Sequence, residues 1–317
     1  MIQQPLSFSI IIPTWNRAHL LSKLLESIAA QQYPANKIEI IVVDSFSTDE
    51  TAEVVKVFLR NNPEYHLRYL NTKINSPSKK RNIGILNASL DWLLFFDDDC
   101  ALSENYFEFL VQSLLQINDS KAVFFGEVRY PAQLINNSNY RRYRDSRHFA
   151  CIEDVKPVDF IKITTMNMAI NLAELSKSEV LFDEDYSFSC EDTDFGFRLK
   201  KAGFNFFTSK ASINHYESSV DIAAYLVKCR RVYGEGYRLV CEKDPSLAKK
   251  MIWKYITPKN NFLGMLHFFF LRLIFNKPIS NCLVLFLVKT DSKNLFYSDK
   301  LFMYVILSAY IEGVKFR

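Results

Sequence analysis

The sequence predicts an α/β protein built on a doubly wound, mainly parallel sheet with a helical C-terminal extension. Three observations carry this. Short apolar runs rich in β-branched residues alternate with helical apolar stripes through the first 130 residues, the pattern left by crossovers between parallel strands. Conspicuous polar residues follow those runs: Thr14 after the first, Asp44 after the second, Asp97-Asp98-Asp99 after the fourth. Residues 216–317 read as mostly helical.

Each element has its own warrant. Residues 8–12 (Phe8-Ser9-Ile10-Ile11-Ile12) form an apolar run stopped by Pro13, a buried strand. Leu20, Leu21, Leu24, Leu25, Ile28 and Ala29 recur at steps of three and four, one face of a helix. Residues 38–43 make a second strand ending at Asp44. Ser47 with Glu50 reads as a capping box for a helix carrying Val54, Val55 and Phe58. Residues 67–70 give a third strand, 78–88 a helix, and 92–96 a fourth strand. Ser103 is expected to cap the next helix, and 122–128 is a fifth strand. The run 164–170 is strand-like. Glu191-Asp192-Thr193-Asp194 opens a helix that Gly203 closes, with acids placed to suit the helix dipole.

Composition narrows the classes. The chain has 317 residues, 49% hydrophobic and 23% charged, ordinary for a globular protein and unlike a polytopic membrane or disordered chain. A net charge of +4 is too mild to indicate a nucleic-acid partner. The charge is uneven: residues 251–317 carry nine Lys and Arg against three Asp and Glu, a net of +6, and the first 250 carry −2. A basic, Phe-rich tail points to an anionic surface, a membrane face. The cysteines at 100, 151, 190, 229, 241 and 282 form no Cys-x-x-Cys pair, so they read as reduced, mostly buried thiols of a cytoplasmic protein. The run 8–12 is too short for a signal peptide.

Ligands of such sheets bind beyond the carboxyl ends of the strands, and convergence of three polar segments there is the argument for a nucleotide site. Asp97-Asp98-Asp99 is the sharpest signal. Adjacent carboxylates repel unless a cation neutralises them, and hard oxygen ligands suit Mg²⁺ or Mn²⁺ shared with a diphosphate. The bland reading is a solvated acidic turn. Asp44 suits a base or ribose contact, or only a helix cap. Of Lys79, Lys80 and Arg81 at a helix start, the lysines read as a solvated face and Arg81 as a diphosphate clamp. Glu191 and Asp192 offer a general base or merely dipole partners. His215 offers a metal or phosphate ligand or a structural histidine.

Together these motifs resemble a family-two glycosyltransferase with the GT-A fold. The carriers are Ser9-Ile10-Ile11-Ile12-Pro13-Thr14-Trp15-Asn16-Arg17, Ile41-Val42-Val43-Asp44-Ser45 with Thr48-Asp49-Glu50-Thr51, Arg81-Asn82-Ile83-Gly84, Leu94-Phe95-Phe96-Asp97-Asp98-Asp99, and Glu191-Asp192-Thr193-Asp194-Phe195-Gly196-Phe197-Arg198. The family's second block has two adjacent acids where this chain has Asp44-Ser45, so the base contact rests on Asp44. The resemblance covers about residues 7–240. It implies a catalytic domain over 1–240, with a Rossmann-like nucleotide half (1–130) and an acceptor half (131–240), followed by a helical extension over 241–317.

It also implies roles. Pro13, Thr14, Asn16 and Arg17 line the donor loop, with Asp44 on the base and Arg81 on the diphosphate side. Asp97 contacts ribose or metal, Asp98 lies in the donor site, and Asp99 with His215 ligates Mn²⁺ or Mg²⁺. Asn167 lies beneath the sugar on the acceptor side. Asp192 is the base and Glu191 positions it or the acceptor. The implied reaction is a single inverting displacement from a nucleotide sugar, uridine-linked by family expectation, to a hydroxyl of a glycan or lipid-linked acceptor. Two alternatives stay open: a nucleotidyltransferase making sugar nucleotides, which would open with a glycine-rich basic loop where this chain has Pro13-Thr14-Trp15-Asn16-Arg17, and a catalytically inactive sugar-nucleotide binder. The apolar stretch 262–288 is interrupted by Arg272, Asn276, Lys277 and Pro278. It reads as two amphipathic helices that cover the catalytic domain, form a dimer surface or dock on a membrane.

Overall fold

The structure is a computed structural model that describes residues 5–148, 154–216, 221–257 and 261–314. Cys151, and Lys259, Lys315 and Arg317 of the basic tail, lie outside the described residues. Along the chain run β1 (Phe8–Thr14), α1 (Ala18–Ala29), β2 (Ile38–Asp44), α2 (Thr51–Asn61), β3 (His66–Asn71), α3 (Pro77–Asn87), β4 (Trp92–Phe95), β5 (Cys100–Leu102), α4 (Tyr106–Ile117) and β6 (Ala122–Arg129). Next come α5 (Ala132–Ile135), α6 (Asn139–Asp145), β7 (Met168–Asn171), α7 (Leu172–Ser178), α8 (Glu191–Lys201) and β8 (Asn205–His215). The helices α9 (Ile222–Arg231), α10 (Arg238–Lys243), α11 (Pro245–Ala248), α12 (Phe262–Ile274), α13 (Lys277–Lys289) and α14 (Asp299–Gly313) follow.

The chain forms two compact units. The first is Met1–Arg129, His148–Ser187 and Glu191–Tyr216; the second is Tyr130–Arg147, Phe188–Cys190 and Glu217–Arg317. The boundary expected at residue 240 therefore falls inside the second unit. The reason is packing: α9 lies on α14 so closely that a Cβ on Gly313 would sit 2.5 Å from the Arg230 carbonyl. Tyr143 of α6 stacks on Phe302 at 4.8 Å in the same cluster.

The first unit holds one eight-stranded sheet in the order β3-β2-β1-β4-β7-β6-β8-β5. The pairings β3-β2, β2-β1, β1-β4 and β6-β8 are parallel. β7 and β5 run antiparallel to their neighbours. The doubly wound, mainly parallel sheet is thus as expected. Every residue of β1 and β2 is buried, as central parallel strands covered on both faces must be. Leu21, Leu24, Leu25 and Ile28 of α1 seal one face. Register aligns the tips: Thr14 lies opposite Asp44, and Asp44 opposite Asn71.

Several local expectations fail for identifiable reasons. Ser47 does not cap α2. Its hydroxyl donates to Asp44 and accepts from the Asn16 amide, and Asp49 instead takes the Thr51 amide and, across the loop, the Ala18 amide of α1. Ser103 does not cap α4, which starts after a left-handed Asn105; its hydroxyl accepts from Ser212. The strand-like run 164–170 narrows to Met168–Asn171. Gly203, at φ +87°, does close α8: its amide bonds the Lys200 carbonyl and that of Phe204 bonds Leu199, a complete Schellman motif.

Candidate active site

The site is built from α3 upward. Ser76 caps this helix by accepting from the Lys79 amide, and Pro77 sits in its first turn. Gly84 sets its depth, because a Cβ there would lie 2.3 Å from Cγ2 of Ile11 in β1. Only a helix this close to the sheet carries Lys80 and Arg81, one turn earlier on the same side, under the strand tips.

Lys80 is only 4% exposed. Its Nζ donates to the Thr14 carbonyl and to Asn75 Oδ1, both at 2.9 Å. Burial pulls the ammonium down to about 8, against the opposing pull of Asp98 and Asp44. The expectation of a solvated face is corrected for Lys80. Lys79 does stay at the surface, paired with Glu184 at 3.0 Å.

The acidic run after β4 is laced to the tip of β1. Thr14 donates its hydroxyl to Asp98 Oδ2 at 2.8 Å. Arg17 Nη1 reaches Asp98 at 2.7 Å and Asp99 at 3.1 Å. Burial favours the neutral form of Arg17, but Asp98 and Asp99 hold its pKa above the ordinary value. Burial also raises Asp98, to about 6, with Asp99 adding repulsion that Arg17 and Thr14 only partly offset.

Arg81 ties this run to the second acidic pair. Its Nη2 donates to Asp97 at 2.7 Å and its Nη1 to Glu191 at 3.0 Å. The guanidinium lies over the Phe182 ring, 5.5 Å from its centroid. Asn82 clamps the same loop, its amide donating to the Phe182 carbonyl and accepting from the Phe182 amide. Asp192, half-buried in the first turn of α8, accepts from the Thr193 amide at 2.8 Å. Its carboxyl is held well above the ordinary range, first by burial and then by Glu191.

Asp99 Oδ1 lies 3.5 Å from Nε2 of His215 at the end of β8, whose ring packs edge-on against His148. Asp44, fully buried, accepts from the Ser47 amide, the Ser47 hydroxyl and the Tyr69 hydroxyl. Of a carboxylate's four lone-pair positions, three are engaged. Asn16, left-handed at φ 51°, accepts the Thr48 amide at 2.7 Å and so joins the loops after β1 and β2. Pro13 is buried in β1 opposite Val43.

Asn167 is placed differently from the rest. Its amide donates to the carbonyls of Glu127 and Ala211 and accepts the Tyr106 hydroxyl at 2.6 Å, riveting β6, β8 and α4. Among the described residues no hydrogen bond joins it to the carboxylates around Arg81.

Six carboxylates (Asp44, Asp97, Asp98, Asp99, Glu191, Asp192) thus share this region with three cations, Arg17, Lys80 and Arg81. Burial raises Asp98 and Asp192 first, and that excess of negative charge adds to it; the same excess suits a divalent cation. Among the described residues no three His, Cys, Asp or Glu side chains converge as a complete metal cluster. Asp97 and Asp99, with His215 adjoining, are a partial set of hard ligands that fits Mg²⁺ or Mn²⁺ sharing its shell with phosphate oxygens and water. Tyr69 escaped the sequence reading, which puts Lys80 on a solvated face. The signal for Lys80 was Gly84 four residues on, a small residue marking the packed face.

The family model described as "Glycosyl transferase family 2" matches residues 9–170. Over 94 residues the chain is 36% identical to the poly(ribitol-phosphate) beta-N-acetylglucosaminyltransferase TarS of Staphylococcus aureus, covering 30% of this chain and 16% of that protein. Over 118 residues it is 32% identical to the GalNAc(5)-diNAcBac-PP-undecaprenol beta-1,3-glucosyltransferase of Campylobacter jejuni, covering 37% of each. The matched segments are thus less than half of either relative. The solved structure of TarS 1–349 with UDP-GlcNAc superposes with a TM-score of 0.56 at 16% identity, over 98% of this chain and 93% of that one. The mannosyltransferase PcManGT of Pyrobaculum calidifontis, with GDP-Man and Mn2+, gives 0.62 at 16% identity, over 98% and 88%. These likenesses extend the shared fold beyond the residues the family model matches.

Proposed function

The chain belongs to glycosyl transferase family 2, whose model matches half its length, and from that premise we propose that it is an inverting, metal-dependent enzyme of glycan assembly. It moves a sugar from a uridine-linked donor to a hydroxyl of a glycan or lipid-linked acceptor. It works in the cytoplasm, peripherally on the inner face of the cell membrane. Donor binding falls to residues 1–130 and acceptor binding to residues 131–240, a functional division that does not follow the boundary between the two compact units. The observation that carries the reading is the Arg81 bridge from Asp97 to Glu191. It holds the acidic run and the acidic pair of α8 at one edge of the sheet, as a donor-and-acceptor site requires.

The residues divide the work. Asp97 and Asp99, with His215 beside them, would hold a divalent cation, which when bound supplies Lewis-acid stabilisation of a departing diphosphate. Arg17 and Lys80 add positive charge around the donor loop of Pro13, Thr14 and Asn16, each aimed by its hydrogen-bond partners. Asp44 and Asp98 shape that loop. Asp192 takes the proton of the acceptor hydroxyl as the oxygen attacks the anomeric carbon. Its raised pKa makes it a stronger base than an exposed aspartate. Arg81 holds Glu191, and Glu191 in turn tunes Asp192. Asn167 acts on the acceptor half from within the fold, through β6 and β8. A single base with no second carboxylate assigned as nucleophile supports one displacement with inversion.

The test is a screen of sugar nucleotides for Mn²⁺-dependent hydrolysis and thermal stabilisation. Binding at a hundred times Kd adds about 2.7 kcal/mol of stability. A uridine-linked sugar that both stabilises and turns over is expected. No response to any sugar nucleotide, with or without metal, would refute the reading.

A further inference from the structure

The second unit breaks the usual burial rule on α12 and α13. Phe262, Leu263, Phe269, Phe270, Leu273 and Ile274 of α12 are each more than half exposed. Beneath them α12 buries only Gly264 and Phe268 among its described residues. On α13, Leu285 is also more than half exposed and Ile279 about half. An apolar surface of this extent needs a cover.

By length and composition Phe262–Lys289 is apolar enough to cross a bilayer. The backbone argues otherwise. The helix stops at Phe275, and Asn276 starts a new one by accepting the Ile279 amide at 3.0 Å, with Pro278 in the first turn. Each piece has 13 residues, so each reaches about 20 Å, short of the roughly 30 Å hydrocarbon core. Arg272 and Lys277 flank the break, where a spanning segment would carry them to mid-bilayer at high cost. Two short helices with cations at their ends suit the headgroup plane instead.

Charge selects the kind of surface. The acids of this region are engaged: Asp291 by the Tyr140 amide, Asp299 by Arg147, Glu312 by Arg230. The exposed Lys277, Lys289, Lys293 and Lys300 form no ion pair among the described residues, leaving this region of the second unit cationic.

We propose that α12 and α13 dock the protein on an anionic phospholipid surface, lying in its interface without spanning it. This deepens the peripheral localisation proposed above and is independent of the transfer chemistry, so its failure would leave that chemistry standing. The test is flotation of the full chain with vesicles of phosphatidylcholine, alone or mixed with phosphatidylglycerol, followed by alkaline carbonate extraction. Binding to the mixed vesicles, released by carbonate, is expected. Phe269→Ser with Phe270→Ser should weaken binding by about tenfold or more, and Lys277→Gln with Lys289→Gln and Lys293→Gln by a similar factor. Both variants should keep the wild-type melting temperature. Failure to float, retention after carbonate, or a stable dimer by light scattering with no vesicle affinity would each overturn the proposal.

Discussion

Arg81 donates one guanidinium nitrogen to Asp97 at 2.7 Å and another to Glu191 at 3.0 Å, and its side chain is only 3% exposed. Glu191 is nearly as buried, at 12%. One cation therefore neutralises two carboxylates that come from segments about a hundred residues apart. Deleting it leaves a charge buried without its partner, which costs about 3–5 kcal/mol. Arg81→Met should lose stability on that scale in urea unfolding. Arg81→Lys keeps the charge without the fork, so it should recover part of the stability but not the geometry. Wild-type stability in Arg81→Met would mean the bridge is incidental.

Asp192 is expected to set the acid limb of the rate profile. A base must be deprotonated to act, so below its pKa the rate falls about tenfold per pH unit. Burial and Glu191 hold Asp192 well above the ordinary carboxylate range, so the limb should lie well above that of an exposed aspartate. Glu191→Gln removes the largest charge-repulsion cause and should move the limb to lower pH. Asp192→Asn should lower turnover by about a hundredfold or more while calorimetry shows donor affinity nearly unchanged. Weakened donor binding with intact turnover would remove Asp192 from this role.

How much of this was legible depended on whether the cause was local. β1, β2 and β4 were readable because a strand buried on both faces is a near-continuous apolar run, as Ile10-Ile11-Ile12 and Ile40-Ile41-Val42-Val43 are. The placement of Asp44 and of Asp97-Asp98-Asp99 at the strand tips was readable because such runs end where the sheet ends. Strand direction has no periodicity, so nothing in Met168–Asn171 announced an antiparallel pairing with β4. The caps at Ser47 and Ser103 failed because both hydroxyls are engaged elsewhere, Ser47 with Asp44 and the Asn16 amide and Ser103 with the Ser212 hydroxyl. The face of α3 that is buried was set by β1, outside the helix's own sequence, so Lys80 looked like surface.

Lys80 should announce itself in the pH dependence of stability. Its folded-state pKa is lowered from 10.5 to about 8. Between those values the unfolded chain holds a proton that the folded chain has released, so stability rises with pH through this window. The full shift corresponds to about 3 kcal/mol. Lys80→Met lacks this contribution. The difference in unfolding free energy between wild type and Lys80→Met should therefore swing toward wild type from pH 8 upward. A difference that stays flat with pH would show that the ammonium is not buried as described.

Gly126 tests the rivet that Asn167 makes. A Cβ at this position would lie 2.1 Å from Asn167 Nδ2 and 2.2 Å from the Ala211 carbonyl. The side chain has nowhere to retreat, because its amide already donates to Glu127 and Ala211 while its oxygen holds Tyr106. The carbonyl cannot move without tearing β8 from β6, where Gly126 pairs with Ser209. Gly126→Ala is therefore expected to cost about 3 kcal/mol by overpacking, read as a lower urea midpoint. Adding Asn167→Ala frees the first clash but not the second and opens Tyr106 to an unpaired hydroxyl, so it should not rescue the variant. Wild-type stability in Gly126→Ala would mean that β6 and β8 sit further apart at this point, and with them the half of the sheet that carries His215 to Asp99.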